Sequence, residues 1–291
     1  MPATAACTQN IALKLTSVYE TSHQDLQWGI CTTLADSHGY SVGIMQFTTG
    51  TGSAQDVIST FEATLSANET SPFAQYHTAL QTLKSQAIQN GGAPQGDISQ
   101  LPNFCNAWAT AANDTRFRNS QLKMVDKLYW NPSQKLVQAA SLSLPISKAQ
   151  IFDSSIQLGL QGTTDLMQGV GSIPDEKEWI KAFLGARRAH LVSMGGAYAP
   201  TVTRVASFEY IVEAGNFVFD NNQVDALNND GAVMHVICDS EVQDGSLGSE
   251  EGGEAGGNGT SSGLGSLDGG TSDTVSASLT FLSCLFFFVI L

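Results

Sequence analysis

The chain has 291 residues, 42% of them hydrophobic and only 14% charged, with 27 acidic side chains against 13 basic ones and a net charge of −14. That length can bury the core of one large domain or two small ones. The acidic balance excludes a nucleic-acid binder working through a basic surface and argues against binding to anionic lipid headgroups, while it suits a cationic partner.

Helical periodicity dominates the body. Ile11, Leu15 and Val18 recur at i, i+4, i+7 with Ala12 and Tyr19 beside them, which predicts an amphipathic helix over 10–20. Tyr40, Val42 and Ile44 alternate with small residues and predict a short strand, followed by a turn over 48–53. Further helices are expected over 54–67, 74–89, 104–117, 124–129, 147–160, 178–193 and 202–213. No internal repeat is present. The expected class is α+β, mainly α, with one small sheet near the N-terminus.

The C-terminal part is a different kind of chain. No Lys or Arg follows Arg204, and seven acidic residues lie between Glu241 and Asp273. The expected organisation is a globular part over 1–240, a Gly/Ser/acidic disordered linker over 241–274 and an apolar tail over 275–291. Seventeen residues barely span a hydrocarbon core of about 30 Å. Small residues, a polar spacer and a terminal apolar run form the pattern of a GPI-attachment signal, with Gly257, Asn258, Ser261, Ser262 and Gly263 as candidate sites. The alternative is a tail-anchor helix. GPI attachment needs entry into the secretory pathway, yet 1–16 carries no apolar signal core, so a truncated start is expected. Sequons at Asn68, Asn113 and Asn258 agree with secretion.

Cys284 would leave with the tail, so Cys7, Cys31, Cys105 and Cys238 remain. Three disulfide connectivities are open to them, as is the reading that they are buried free thiols. The five histidines (His23, His38, His77, His190, His235) are scattered, and no metal-ligand spacing occurs, so neither metal nor cofactor is expected.

Two carboxylates invite a chemical reading. Glu20 ends the first predicted helix and Asp36 precedes the strand. Glycoside hydrolysis needs one carboxyl that protonates the leaving oxygen and a second that activates water or attacks the sugar. On spacing alone, solvated surface acids are the better explanation. The surrounding residues alter that balance. IALKLTSVYE at 11–20, DSHGYSVGI at 36–44, FTTGTG at 47–52, WATAANDT at 108–115, YWNP at 129–132, FLGARR at 183–188, TRV at 203–205 and EAGN at 213–216 stand in the order found in family 46 chitosanases, which this chain closely resembles over roughly 10–220.

The resemblance implies a two-lobed, lysozyme-like fold and an endo-acting, inverting hydrolase of the β-1,4 bonds between glucosamine units in chitosan. Carried over by position, Glu20 matches the general acid and Asp36 the general base. Ser41 matches a hydroxyl residue that helps hold the attacking water. Arg204, Asp153 and Arg187 match a buried charge network beside the acid. His38, Tyr40, Ser53 and Tyr129 fall at substrate-binding positions. The implied partner is chitosan or a related cell-wall polysaccharide, met by a monomer that touches a membrane only through its GPI anchor and binds no nucleic acid.

From residues alone, Ser41 reads equally as an exposed strand serine, and the charged trio as ordinary helix-surface groups. The network also raises a question of electrostatics, because an adjacent arginine lowers a carboxyl's pKa while a general acid works best near neutrality. An aspartate between two arginines offsets part of their field. Three departures bear on specificity. Ser53 stands where the family has a substrate-binding aspartate, His38 replaces a basic residue, and YAPTVT precedes Arg204 where acids are frequent. The competing expectation is a catalytically weak polysaccharide-binding protein on the same scaffold.

Overall fold

The computed structural model describes residues 1–33, 37–196 and 198–243. Asp36, Asn258 and the other anchor-site candidates, Cys284 and most of the linker and tail lie outside them.

Helix α1 (Ala5–Thr21) is the central element. Thr4 caps its start by accepting the Cys7 N–H, and it stops where Ser22 turns left-handed (φ 59°) and donates its N–H to Val18 O. Its apolar stripe of Cys7, Ile11, Leu15 and Val18 is buried, and so are Thr8, Asn10, Lys14, Thr16 and Ser17 on its other faces. The helix is longer than the 10–20 stretch its periodicity predicts because the Thr4 cap starts it upstream, in residues that carry little apolar periodicity.

Three short antiparallel strands follow: β1 (Cys31–Thr33), β2 (Tyr40–Val42) and β3 (Phe47–Thr48). Thr32 and Thr48 lie opposite Ser41 on either side. Helix α2 (Ser53–Glu62) starts after Gly52, whose φ of 86° no side chain adopts easily, and it ends short of the predicted 67. A 3₁₀ turn at Ala74–Tyr76 leads into α3 (His77–Gln89). The single helix expected over 104–117 is two, α4 (Phe104–Ala111) and α5 (Thr115–Val125). The break has a local cause, because the Asp114 carboxylate accepts the Arg116 N–H as an N-cap and restarts the helix. Phe61, Phe73, Phe104, Trp108 and Phe117 interlock edge to face and in stacks at the centre of this first lobe.

A π-helical turn, Asp126–Trp130, joins α5 to α6 (Asn131–Ala139). Helix α7 (Pro145–Val170) packs along α1 and is interrupted at Gly159, which has φ 73° and ψ 166°. Helices α8 (Glu176–Met194) and α9 (Val202–Glu213) complete the second, helical lobe. A second sheet, absent from the sequence-based expectation, then forms from the hairpin β4 (Gln223–Leu227) and β5 (Val233–Ile237). Only Val224, Ala226 and Val236 of its ten strand residues are buried, so its apolar signal is thin, although Asp230-Gly231 between the strands is a hairpin signal in its own right. The short helix α10 (Ser240–Gln243) buries Val242, so regular structure continues past the expected boundary at 240.

Disulfides join Cys7 to Cys238 and Cys31 to Cys105, which selects one of the three connectivities and replaces the free-thiol reading. The first ties the start of α1 to the chain just after β5, and the second ties β1 to α4.

Candidate active site

Glu20 sits in the last turn of α1 with its side chain 26% exposed. Its Oε1 accepts a 2.6 Å hydrogen bond from Arg204 Nη1, which α9 supplies. The same guanidinium donates from Nη2 to Asp153 Oδ1 at 2.7 Å and from Nε to Asp153 Oδ2 at 3.3 Å. Asp153 comes from α7 and is completely buried. Its carboxylate also accepts from Arg187 Nη2 of α8 at 2.7 Å and from Thr16 Oγ1 of α1 at 3.0 Å. Four helices thus meet in one row of alternating charge, Glu20, Arg204, Asp153, Arg187. The reading of these residues as helix-surface charges is overturned, because Asp153 and Arg187 expose nothing to solvent.

The electrostatics of the row follow from its burial. Desolvation pushes the Asp153 carboxyl upward, but Arg204 and Arg187 more than offset it and hold the pKa down at about 2. Desolvation likewise pulls Arg204 down, and the carboxylates of Asp153 and Glu20 raise it above the ordinary arginine value. Arg187 moves the other way, lowered by its burial. Gln157, one turn beyond Asp153, carries the network outward. Its Oε1 accepts from Arg187 Nε at 3.0 Å and from Nη2, and its Nε2 donates to Thr201 Oγ1 at 2.8 Å. Thr16 and Gln157 were not among the sequence candidates. Their signal is the i, i+4 spacing from Glu20 and Asp153, which places each on the face of its partner.

The first lobe presents the other candidates. Ser41 is 2% exposed in the middle strand, so it is a buried serine and not an exposed one. Tyr40 is half-buried and stacks on Phe104, with ring centroids 5.6 Å apart. His38 is half-buried, and its carbonyl accepts the Gly50 N–H at 2.9 Å. A side chain at Gly50 would meet His38 O at 2.7 Å and Gln95 O at 2.6 Å, so only glycine permits this approach. Ser53 is the first residue of α2. Its hydroxyl accepts the Thr48 N–H at 2.8 Å and lies 3.1 Å from Thr51 Oγ1. Tyr129 is half-buried in the π-helical turn. Asn68 and Asn113 are exposed, and the Asn113 amide donates to Thr110 O at 3.2 Å. Among the described residues, no group of three His, Cys, Asp or Glu side chains is arranged to hold a metal ion, and no helix is long and apolar enough to cross a membrane.

Residues 14–221 match the sequence model of glycosyl hydrolase family 46. The chain belongs to that family. The matched stretch contains Glu20, Asp36, Ser41, Asp153, Arg187 and Arg204, and it ends before the β4–β5 hairpin. A chitosanase of Bacillus subtilis (strain 168) is 29% identical over 223 residues, covering 71% of this chain and 77% of that protein. A mutant chitosanase from Bacillus subtilis MY002, solved in complex with 6 GlcN, superposes with a TM-score of 0.64 at 25% identity over 80% of this chain and all of that one. A Gynuella sunshinyii family 46 chitosanase complexed with chitotetraose shares the fold, with a TM-score of 0.63 at 23% identity over 80% of this chain and 98% of that one. The family 46 protein is therefore a glycosidase, built on a mainly helical, lysozyme-like α+β fold.

Proposed function

We propose that this glycosidase is a chitosanase, an endo-acting, inverting hydrolase of the β-1,4 bonds between glucosamine units in chitosan. Membership of family 46 supports this, as do the chitosanases among its relatives and the bound glucosamine oligomer in a structural neighbour. The observation that carries the reading is the carboxylate of Glu20, partly open to solvent and fixed at one end by Arg204.

In the proposed mechanism Glu20 protonates the glycosidic oxygen as the bond breaks. Asp36 takes a proton from water attacking the opposite face of the sugar. Ser41 helps hold that water. Arg204 orients Glu20, and Asp153 fixes Arg204 while sharing its charge with Arg187. No cofactor enters this chemistry. His38, Tyr40, Ser53 and Tyr129 are proposed to line the sugar path.

The test is a reducing-end assay on fully and partly deacetylated chitosan, with the first product followed by proton NMR. New reducing ends appearing in the inverted α configuration are expected. A retained β product would overturn the inverting mechanism, and no reducing ends at all would overturn the activity.

We further propose an extracellular, surface-attached glycoprotein. Support comes from the sequons at Asn68 and Asn113, the two disulfides and the GPI-signal pattern of the tail. Phosphatidylinositol-specific phospholipase C should release the protein from cells. Recovery of the LTFLSCLFFFVIL peptide from the mature protein would sink the anchor.

A further inference from the structure

Glu20 lies in the last turn of α1, where the regular backbone bonds run out and the Ser22 N–H caps Val18 O. The β4–β5 hairpin adds further bonds to this helix end. Asn229, at the hairpin's turn, donates from Nδ2 to Val18 O at 3.0 Å, and lies 3.5 Å from Ser22 Oγ. Tyr19, next to Glu20, donates its phenol to Leu227 O at 3.1 Å. Leu227 in turn donates its N–H to Ser207 Oγ at 3.0 Å. Ser207 is buried on α9, one turn from Arg204. Beyond the helix end, Gln24 Nε2 donates to His235 O at 2.6 Å.

Two links therefore join α1 to α9 side by side. One is the ion pair of Glu20 with Arg204, and the other runs from Tyr19 through the Leu227 peptide to Ser207. The Arg204 guanidinium stands over the Tyr19 ring, 5.3 Å from its centroid, so the two links are in contact. An ion pair alone leaves a side chain free to swing with the helix end that carries it. The second link removes that freedom. Its middle member, Leu227, lies past 221, outside the family-matched stretch.

We infer that the β4–β5 hairpin sets the position of Glu20 in the active site, with Tyr19, Ser207 and Asn229 as its positioning residues. The inference rests on the proposed role of Glu20 as the acid. A displacement of about 1 Å at a reacting group can cost on the order of a hundredfold in rate. Loss of one of several supports should cost less.

The test measures kcat, KM and Tm for the full chain on a glucosamine hexamer, with Tyr19→Phe and Asn229→Ala set beside Asn10→Ala and Glu20→Gln. Tyr19→Phe keeps the ring beneath Arg204 and loses only the bond to Leu227. It should lower kcat about tenfold with KM changed by less than about twofold, and Asn229→Ala should lower kcat severalfold in the same way. Asn10 bonds Asp239 at the far end of the hairpin, through Nδ2 to Oδ2 at 3.0 Å and through Oδ1 from its N–H at 3.0 Å. Asn10→Ala should therefore lower Tm and leave kcat in place. Wild-type kcat in both Tyr19→Phe and Asn229→Ala would overturn the inference, as would a loss of kcat in Asn10→Ala matching theirs. Full activity in Glu20→Gln would overturn the role of Glu20 itself, a result the other variants do not give.

Discussion

Arg204 is shared between two carboxylates, donating to Glu20 at 2.6 Å and to Asp153 at 2.7 Å, so neither acid can move without disturbing the other. One partner of the pair is about a quarter exposed and the other is fully buried. The buried one fixes where the arginine stands, and the arginine fixes where the open one points.

Asp153→Asn should therefore be among the most damaging single changes. It leaves Arg187 and Arg204 buried side by side with no charge between them, and removing one member of a buried ion pair costs about 3–5 kcal/mol. In a domain of this size each kcal/mol lowers Tm by roughly 2–4 °C. The pH dependence has a definite sign. The folded pKa of Asp153 is held at about 2, below the 3.8 of an unperturbed aspartate, so the unfolded chain binds the proton more readily. The stabilisation is fully present above that unperturbed value and is lost as pH falls toward the folded one. Thermal melts through this window should show Tm dropping in the wild type, with Asp153→Asn lower throughout and flatter.

Glu20→Gln keeps the shape of the side chain and a hydrogen-bonding oxygen for Arg204 but cannot supply a proton. Hydrolysis should fall by about 10²–10⁴, the usual worth of general acid catalysis, while binding of glucosamine oligomers measured by calorimetry stays near the wild-type value. A turnover number close to wild type would remove Glu20 from the acid role. Asp36→Asn should be equally inactive, with azide able to restore turnover if Asp36 serves only to activate water.

Ser53→Asp tests specificity. The hydroxyl of Ser53 already accepts the Thr48 N–H, and a carboxylate can accept the same bond at a helix N-terminus, which favours negative charge. A partly exposed charge pair with a sugar ammonium is worth about 1 kcal/mol, or about fivefold in binding. KM on highly deacetylated chitosan should fall severalfold, with the gain shrinking as salt rises, and KM on acetylated stretches should hardly change. An unchanged KM on both substrates would mean that the sugar does not pass residue 53.

The Cys7–Cys238 disulfide closes almost the whole domain, joining positions 231 apart in sequence, and it anchors the hairpin's exit to the start of α1. Replacing both cysteines with serine should cost about 2–5 kcal/mol, read as a lower midpoint in chemical denaturation. Loss of Cys31–Cys105, which spans 74 residues within the first lobe, should lower the midpoint less on the chain-entropy account.

What could be read in the sequence was local or came by resemblance. Helix α9 has the predicted bounds, and α1, α7 and α8 were found though each runs beyond its predicted ends, because heptad-like burial is written in residue spacing. The family resemblance pointed to Glu20, Asp153, Arg187 and Arg204 without showing how they meet. The split at Asp114 was missed although its N-cap chemistry is local, and the hairpin was missed because two half-exposed strands carry little periodic signal. Tertiary packing decided the rest. Glu20 and Arg204 are 184 residues apart, and Arg204 and Asp153 are 51 apart, so only the packing of α1, α7 and α9 turns them from separate charges into one row. The partner of each cysteine and the bonds from Tyr19 to Leu227 and from Leu227 to Ser207 have the same origin. Each is a contact between elements distant in the chain, and its energy exists only once the core between them has closed.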